Sequence, residues 1–209
     1  TITPYGNAAI SATQSKFGGY SAYFDGTGDY LSIPDSSDLR LGTGDFTIEF
    51  WIYVTNISGQ VDAYTQIIRK GSTYSSSYLS VGLDRSSLSC YLAYGAVPSF
   101  EGVDIQANMA GVWRHIAISR SGSTVRVFSG GGLSTSYTST DPVWDNAEPL
   151  TIGVGTASPL CYIDDLRITK GVARYTATFT PPNAAFYNNK SDTDSAKYNA
   201  LIYDMVVPA

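Results

Sequence analysis

Runs rich in Ala, Leu, Glu and Lys, the material of long helices, are missing from this sequence of 209 residues. Val, Ile, Thr, Tyr, Phe and Gly take their place, so helix is expected to be scarce. Charge is sparse: 15% of residues carry it, with a formal balance of -5. That sign removes the counterion-release term that dominates nucleic-acid binding, which argues against DNA and RNA as partners. No apolar run approaches the ~18 residues that cross a bilayer, so membrane insertion is not expected. The opening TITPYGNAAIS also lacks the basic and apolar regions of a secretory signal. Two cysteines, Cys90 and Cys161, cannot make a disulfide framework and allow one bridge at most. A single histidine, His115, and three glutamates, Glu49, Glu101 and Glu148, leave little material for acid–base chemistry.

What the sequence does contain is alternation. In DFTIEFWIYV, Phe46, Ile48, Phe50, Ile52 and Val54 fall on one face and Thr47, Glu49, Trp51 and Tyr53 on the other, the period of a strand. WRHIAISRSGSTVRVFSGG reads as a hairpin turning at Ser-Gly-Ser. GGYSAYF, DYLSIP, QIIRKG, YLSVGLD, LSCYLAYG, PLTIGV and CYIDDLRIT bring the total to about ten strands. Gly-, Ser- and Asp-rich turns separate them, with no crossover helices and no repeat of a propeller or solenoid. An all-β, antiparallel two-sheet sandwich is therefore expected. After Pro181-Pro182, which cannot donate to a ladder, the chain becomes polar and then ends in an apolar cluster. Residues 1–187 are read as one domain and 188–209 as an extension that docks through Leu201, Ile202, Met205, Val206 and Val207, either on its own domain or on a partner.

The segments KFGGYSAYFDGTGDYLSIP, FTIEFWIYV, WRHIAISRSG, LTIGV and YIDDLRITKGVARYTATFTPP, in that order, resemble the laminin-G-like jelly roll of the concanavalin A-like lectin/glucanase superfamily. The closing phrase is most similar to versions of this domain in tailed-phage virion proteins. The resemblance implies a curved jelly-roll sandwich, often with structural calcium, often serving carbohydrate recognition or adhesion. It points to a virion component, a tail, fibre or decoration protein that meets surface glycans, other virion proteins or further copies of itself. A secreted or cell-surface carbohydrate-binding module is the alternative, with an extracellular setting. A glucanase-type glycoside hydrolase is the less favoured one.

Asp25 in FDG and Asp164 in IDD are the candidate calcium ligands, since the resemblance implies that the first and last jelly-roll strands meet there. Asp164 shares its parity with Leu166 and Ile168, so it is expected to point inward. There it needs a cation, an arginine such as Arg167 or Arg40, or backbone N–H groups. Asp before Gly is equally common in metal-free turns. Glycoside hydrolysis needs paired carboxyls, and the clustered Glu-x-Asp-x-(x)-Glu strand of the glucanases is absent, so no enzyme is expected. His115 reads as a sheet-face residue. Trp51, Tyr53 and Tyr91 lie opposite the apolar rows of their strands, where an aromatic ring serves a glycan or a partner surface equally well.

Overall fold

A computed structural model describes residues 2–56, 64–71, 79–84, 89–94, 103–106, 109–153 and 160–186. Its strands form two seven-stranded antiparallel sheets. The first runs, in spatial order, β1 (Thr3–Tyr5), β4 (Tyr30–Ile33), β13 (Leu150–Ile152), β6 (Tyr64–Lys70), β7 (Leu79–Asp84), β8 (Ser89–Tyr94) and β9 (Val103–Gln106). The second runs β12 (Gly132–Thr138), β11 (Thr124–Ser129), β10 (Trp113–Ser121), β5 (Phe46–Asn56), β14 (Leu160–Lys170), β3 (Ser21–Phe24) and β2 (Ala9–Ser11). This is the expected jelly-roll sandwich. The strands absent from the sequence reading are the three-residue β1 and β2, the polar edge strand β12 and β9, whose alternation VDIQ lasts only four residues.

The core lies between the sheets, and the alternation of β5 is obeyed. Phe46, Ile48, Phe50 and Ile52 are fully buried against Leu79, Val81, Leu150 and Ile152 of the other sheet's strands, as part of one cluster. Each such side chain contributes about 1.5–3 kcal/mol on burial. Trp144 closes one end of the core. Its backbone is left-handed (φ 55), and its indole N–H donates to the Leu79 carbonyl at 2.7 Å. Lys70, also fully buried, is held by Asp35 at 2.8 Å. Cys161 faces this core as a free thiol from β14, so the Cys90–Cys161 bridge does not form. Burial pushes the Cys161 thiol pKa up, which makes it inert.

One parity expectation fails at β14. The strand pairs with β5 from Leu160 to Asp164 and again from Arg167 to Lys170, with an irregularity between Asp164 and Arg167 where Asp165 adopts φ 49. A bulge of this kind flips the alternation. Asp164 therefore lies opposite Trp51 on the outer face, while Leu166 and Ile168 face the core.

Candidate ligand-binding face

The outer face of the second sheet is built in rungs across β3, β14, β5 and β10. Tyr162 is registered with Tyr23 on one side and Tyr53 on the other, and Tyr53 with Trp113. Four aromatic residues thus stand side by side on four adjacent strands. Their ring centroids are 5.0 Å (Tyr23–Tyr162), 6.1 Å (Tyr53–Tyr162) and 5.7 Å (Tyr53–Trp113) apart. At the usual ~4.8 Å between strands the row is about 14 Å long. Tyr23, Tyr53 and Trp113 are partly exposed, and exposed Val112 borders the Trp113 end.

The next rung holds Asp164, Trp51 and His115. Trp51 does point outward, as its parity predicts, but it is 7% exposed. Lys16 sits over its indole at 4.0 Å, Phe17 meets it edge-on at 6.0 Å and His115 at 5.2 Å. The expectation of an open platform at Trp51 is thereby corrected. The loop that carries Lys16 and Phe17 is pinned by Asp164, whose Oδ2 accepts their backbone N–H groups at 2.8 and 3.0 Å. Burial raises the Asp164 pKa, and these N–H donors oppose the rise.

Beyond it lies the rung of Arg167 and Glu49, roofed by the segment 171–186. Glu49 Oε1 accepts from Arg167 at 2.6 and 2.9 Å, and Oε2 accepts from the Tyr175 hydroxyl at 2.7 Å and lies 3.3 Å from His115 Nε2. Burial alone would raise the Glu49 pKa, but His115, Arg167 and Tyr175 together hold it below the usual carboxylate range. The Tyr175 and Phe179 rings stack at 3.6 Å, and Phe128 and His115 pack edge-on to Phe179. Gly131 (φ 82) lets this roof close, since a Cβ there would overlap the Phe179 carbonyl. The roof ends at Phe186, whose N–H donates to Asp165 Oδ2 at 3.0 Å and whose ring lies 3.6 Å from the Arg167 guanidinium. Burial pushes the Asp165 pKa up to about 7, helped by the charges of Asp164 and Glu49.

A family model matches residues 25–174, described as the concanavalin A-like lectin/glucanases superfamily. The chain belongs to this superfamily. Among solved structures, domain 4 of AbnA, an extracellular arabinanase from Geobacillus stearothermophilus, in complex with arabinotriose, shares the fold at TM-score 0.57 and 21% identity, with 80% of each chain covered. The binding domain of botulinum neurotoxin DC in complex with SialylT aligns at TM-score 0.58 and 12% identity, over 79% of this chain and 42% of that one. The binding domain of botulinum neurotoxin serotype G aligns at 0.56 and 13%, over 80% and 42%. The chain thus spans less than half the length of either toxin domain. No curated protein matches it by sequence.

The superfamily's two site chemistries, metal and acid, can be tested against these residues. β3 and β14 do meet, but antiparallel, with Phe24 opposite Cys161 and Ala22 opposite Ile163. Asp25 therefore leaves the ladder at one end and Asp164 at the other, four residues or about 13 Å apart. One calcium ion, with ligands at about 2.3–2.6 Å, does not fit both. Asp25 instead accepts from Thr27 N at 2.8 Å and Asn7 Nδ2 at 3.2 Å. Among the described residues no group of three or more His, Cys, Asp or Glu could hold a metal ion. As for acids, the register assembles across strands what no single strand shows, with Glu49, Asp164 and Asp165 close together. All three are fully buried under the loop and roof, bound to the groups just named. Glu101 and the C-terminal Leu201, Ile202, Met205, Val206 and Val207 lie outside the described residues, as does the side chain of Tyr91.

Proposed function

We propose that this chain is a non-catalytic glycan-binding domain, an adhesive component displayed on a phage particle. The observation that carries the reading is the row Tyr23–Tyr162–Tyr53–Trp113, in which Tyr23, Tyr53 and Trp113 stay partly exposed around a buried Tyr162, on a sheet face whose other rungs lie under the Lys16–Phe17 loop and the segment 171–186. An apolar surface that a fold could bury but leaves open marks an interaction site. Aromatic rings offer their faces to the C–H side of sugars while polar tips reach the hydroxyls. The fold shared with a domain solved with arabinotriose, and with one solved with SialylT, supports the choice of glycan over protein. A hydrolase is disfavoured because Glu49, Asp164 and Asp165 are fully buried, Glu49 and Asp164 with both oxygens in structural bonds and Asp165 with Oδ2 bound to Phe186 N–H and Oδ1 without a partner. The virion setting rests on the closing phrase DDLRITKGVARYTATFTPP, and residues 188–209 are the proposed attachment to a neighbouring virion protein or another copy. A glycan array probed with the wild-type chain and Trp113→Ala tests the reading. Retention by one glycan class, lost in the variant, is expected; absence of retention by any glycan overturns it.

A further inference from the structure

Both sheets end on the same side of the sandwich in strands of three residues. β1 closes the first sheet and β2 the second, and the turn 6–8 joins them into one arch. Neither has a further strand beyond it among the described residues. The arch is firmly held: buried Asp29 accepts from Asn7 N at 2.5 Å and from Asp25 N at 2.7 Å, and a Cβ on Gly6 (φ 66) would overlap the Asp29 carboxylate. Its surface is therefore preformed, which lowers the cost of binding to it. Pro4 is registered with Leu31 and Ile10 with Ala22, and Leu31 and Ala22 are buried in the core. Pro4 and Ile10 thus face the space between the sheets, yet both are exposed, with exposed Ile2 just before β1 and exposed Tyr20 just before β3. Six large apolar side chains are exposed among the described residues, and four of them, Ile2, Tyr5, Ile10 and Tyr20, belong to this one end of the chain, so they form a patch and are not scatter.

The patch also lacks charge. Lys16 is the one charged side chain in residues 2–24, and its ammonium is turned onto the Trp51 ring, three strands in from β2. A chain with a formal balance of -5 repels its own copies, and does so least where the meeting faces carry no charge. A basic partner, by the same argument, is received on acidic residues, which this face does not offer. A core left open between two sheet edges is matched by a second open core of the same kind, since edge-to-edge contact then extends the sheet and joins the two apolar layers. We infer that this arch is a self-association surface, on which β1 and β2 of one copy meet β1 and β2 of a second across a twofold axis. Pro4 has no N–H to donate, so the backbone pairing falls to β2. Ile2, Pro4, Tyr5, Ile10 and Tyr20 supply the apolar contact, a Tyr-bearing, charge-depleted set of the kind found at the centre of interfaces. The contact uses the sheet edge and not the aromatic row, so it stands apart from the glycan reading.

The test is light scattering and sedimentation of the full chain over a dilution series. A monomer–dimer equilibrium is expected. Ile10→Asp and Tyr20→Asp should each raise its dissociation constant about tenfold or more, while Leu133→Asp, exposed on β12 at the opposite edge of the second sheet, leaves it unchanged. Melting curves at a dilution where every protein is monomeric establish that the variants are folded. Hydrogen exchange gives an independent readout: the amides of β2 should be protected in the dimer and lose that protection on dilution. A dimer that Trp113→Ala breaks and Ile10→Asp leaves intact places the interface at the aromatic row and overturns the inference. A chain that stays monomeric at every concentration overturns it as well, and dimerisation on deleting residues 188–209 would then make that segment the occupant of the arch.

Discussion

At the Glu49 end of β5 the outer sheet face carries a carboxylate, a guanidinium, an imidazole and several aromatic rings, and every one lies under the 171–186 roof. At the Tyr53 end, on the same strands, four aromatic rings stand side by side with no described segment over them, three of them partly exposed and Tyr162 buried between them. Both ends have apolar area enough to bury. The difference is in polar bonding: the roofed end supplies fixed partners for the roof, Glu49 for Tyr175 and Asp165 for Phe186. The open end supplies rings and hydroxyls that nothing in the described chain answers. One end is organised to hold this chain's own segment, and the other, among the described residues, leaves three of its four rings partly exposed.

The comparison breaks most sharply at Glu49. Glu49→Ala leaves Arg167, His115 and the Tyr175 hydroxyl without their shared acceptor beneath the roof. Losing one partner of a buried charged cluster typically costs ~3–5 kcal/mol. Urea unfolding should show this loss, with the melting temperature lowered by roughly 10 °C or more for a chain of this size. A loss below about 1 kcal/mol would mean that the roof is held by its aromatic stacking alone.

Asp165 sharpens the same end by pH. Its folded pKa, about 7, lies above the ordinary 3.8, so the folded protein binds more protons than the unfolded chain between those values. Its contribution is complete below pH ~4 and is lost as pH rises through 7. Glu49, held low, acts in the opposite sense and only as pH falls through the ordinary carboxylate range. Asp164, raised by burial, adds to the loss on the alkaline side. Asp165→Asn keeps a residue that tolerates the left-handed backbone and keeps an acceptor for the Phe186 N–H, while removing the charge. At pH 8 the variant should be more stable than wild type by on the order of 1–3 kcal/mol, and at pH 4 equal to it. Equal stability at both pH values would place the Asp165 carboxyl in contact with solvent.

Which parts of this were legible in the sequence follows from range. The alternation of β5 and the hairpin of β10 and β11 are local, and both are found where the pattern puts them. The outward direction of Trp51 and Tyr53 is local too. Their different fates are not, because Trp51 is covered by Lys16 and Phe17, far away in sequence. The bulge at Asp165 leaves no periodic trace, so parity alone turns Asp164 to the wrong face, although its partners are backbone N–H groups, one of the alternatives that burial of a carboxylate demands. The aromatic row consists of four residues from four separate segments. Only a register unites them, and of the four only Tyr53 stands out in the alternation of its own strand.

At the open end, smaller effects on stability are expected. Trp113→Leu keeps apolar volume on a partly exposed site and should cost no more than about 1 kcal/mol, against the roughly tenfold loss of glycan binding expected on removing an exposed aromatic anchor. A stability loss like that of Glu49→Ala, with binding preserved, would instead make the row a piece of core that happens to be thinly covered.

The smallest effect expected is that of calcium, and it separates the two ends by their acids. Asp25 belongs to the open end and Asp164 to the covered middle, and the antiparallel register keeps them about 13 Å apart along the ladder. Each carboxylate already accepts N–H groups on both oxygens, Asp25 from Thr27 and Asn7, Asp164 from Asp165, Lys16 and Phe17. A donor N–H points its positive end where a cation would sit, so an ion would have to displace these bonds before gaining its own. Millimolar calcium and EDTA are therefore expected to give melting temperatures within about 1 °C of each other, whereas a folded-state ion at a hundredfold excess over its Kd would add about 2.7 kcal/mol. Asp164→Asn should lower stability under both conditions alike, because its work is to hold the Lys16–Phe17 loop over Trp51. If calcium raised the melting temperature by several degrees and either Asp25→Asn or Asp164→Asn abolished the rise, the two acids would have to come together around one ion, and the division of the sheet face drawn here would fall with it.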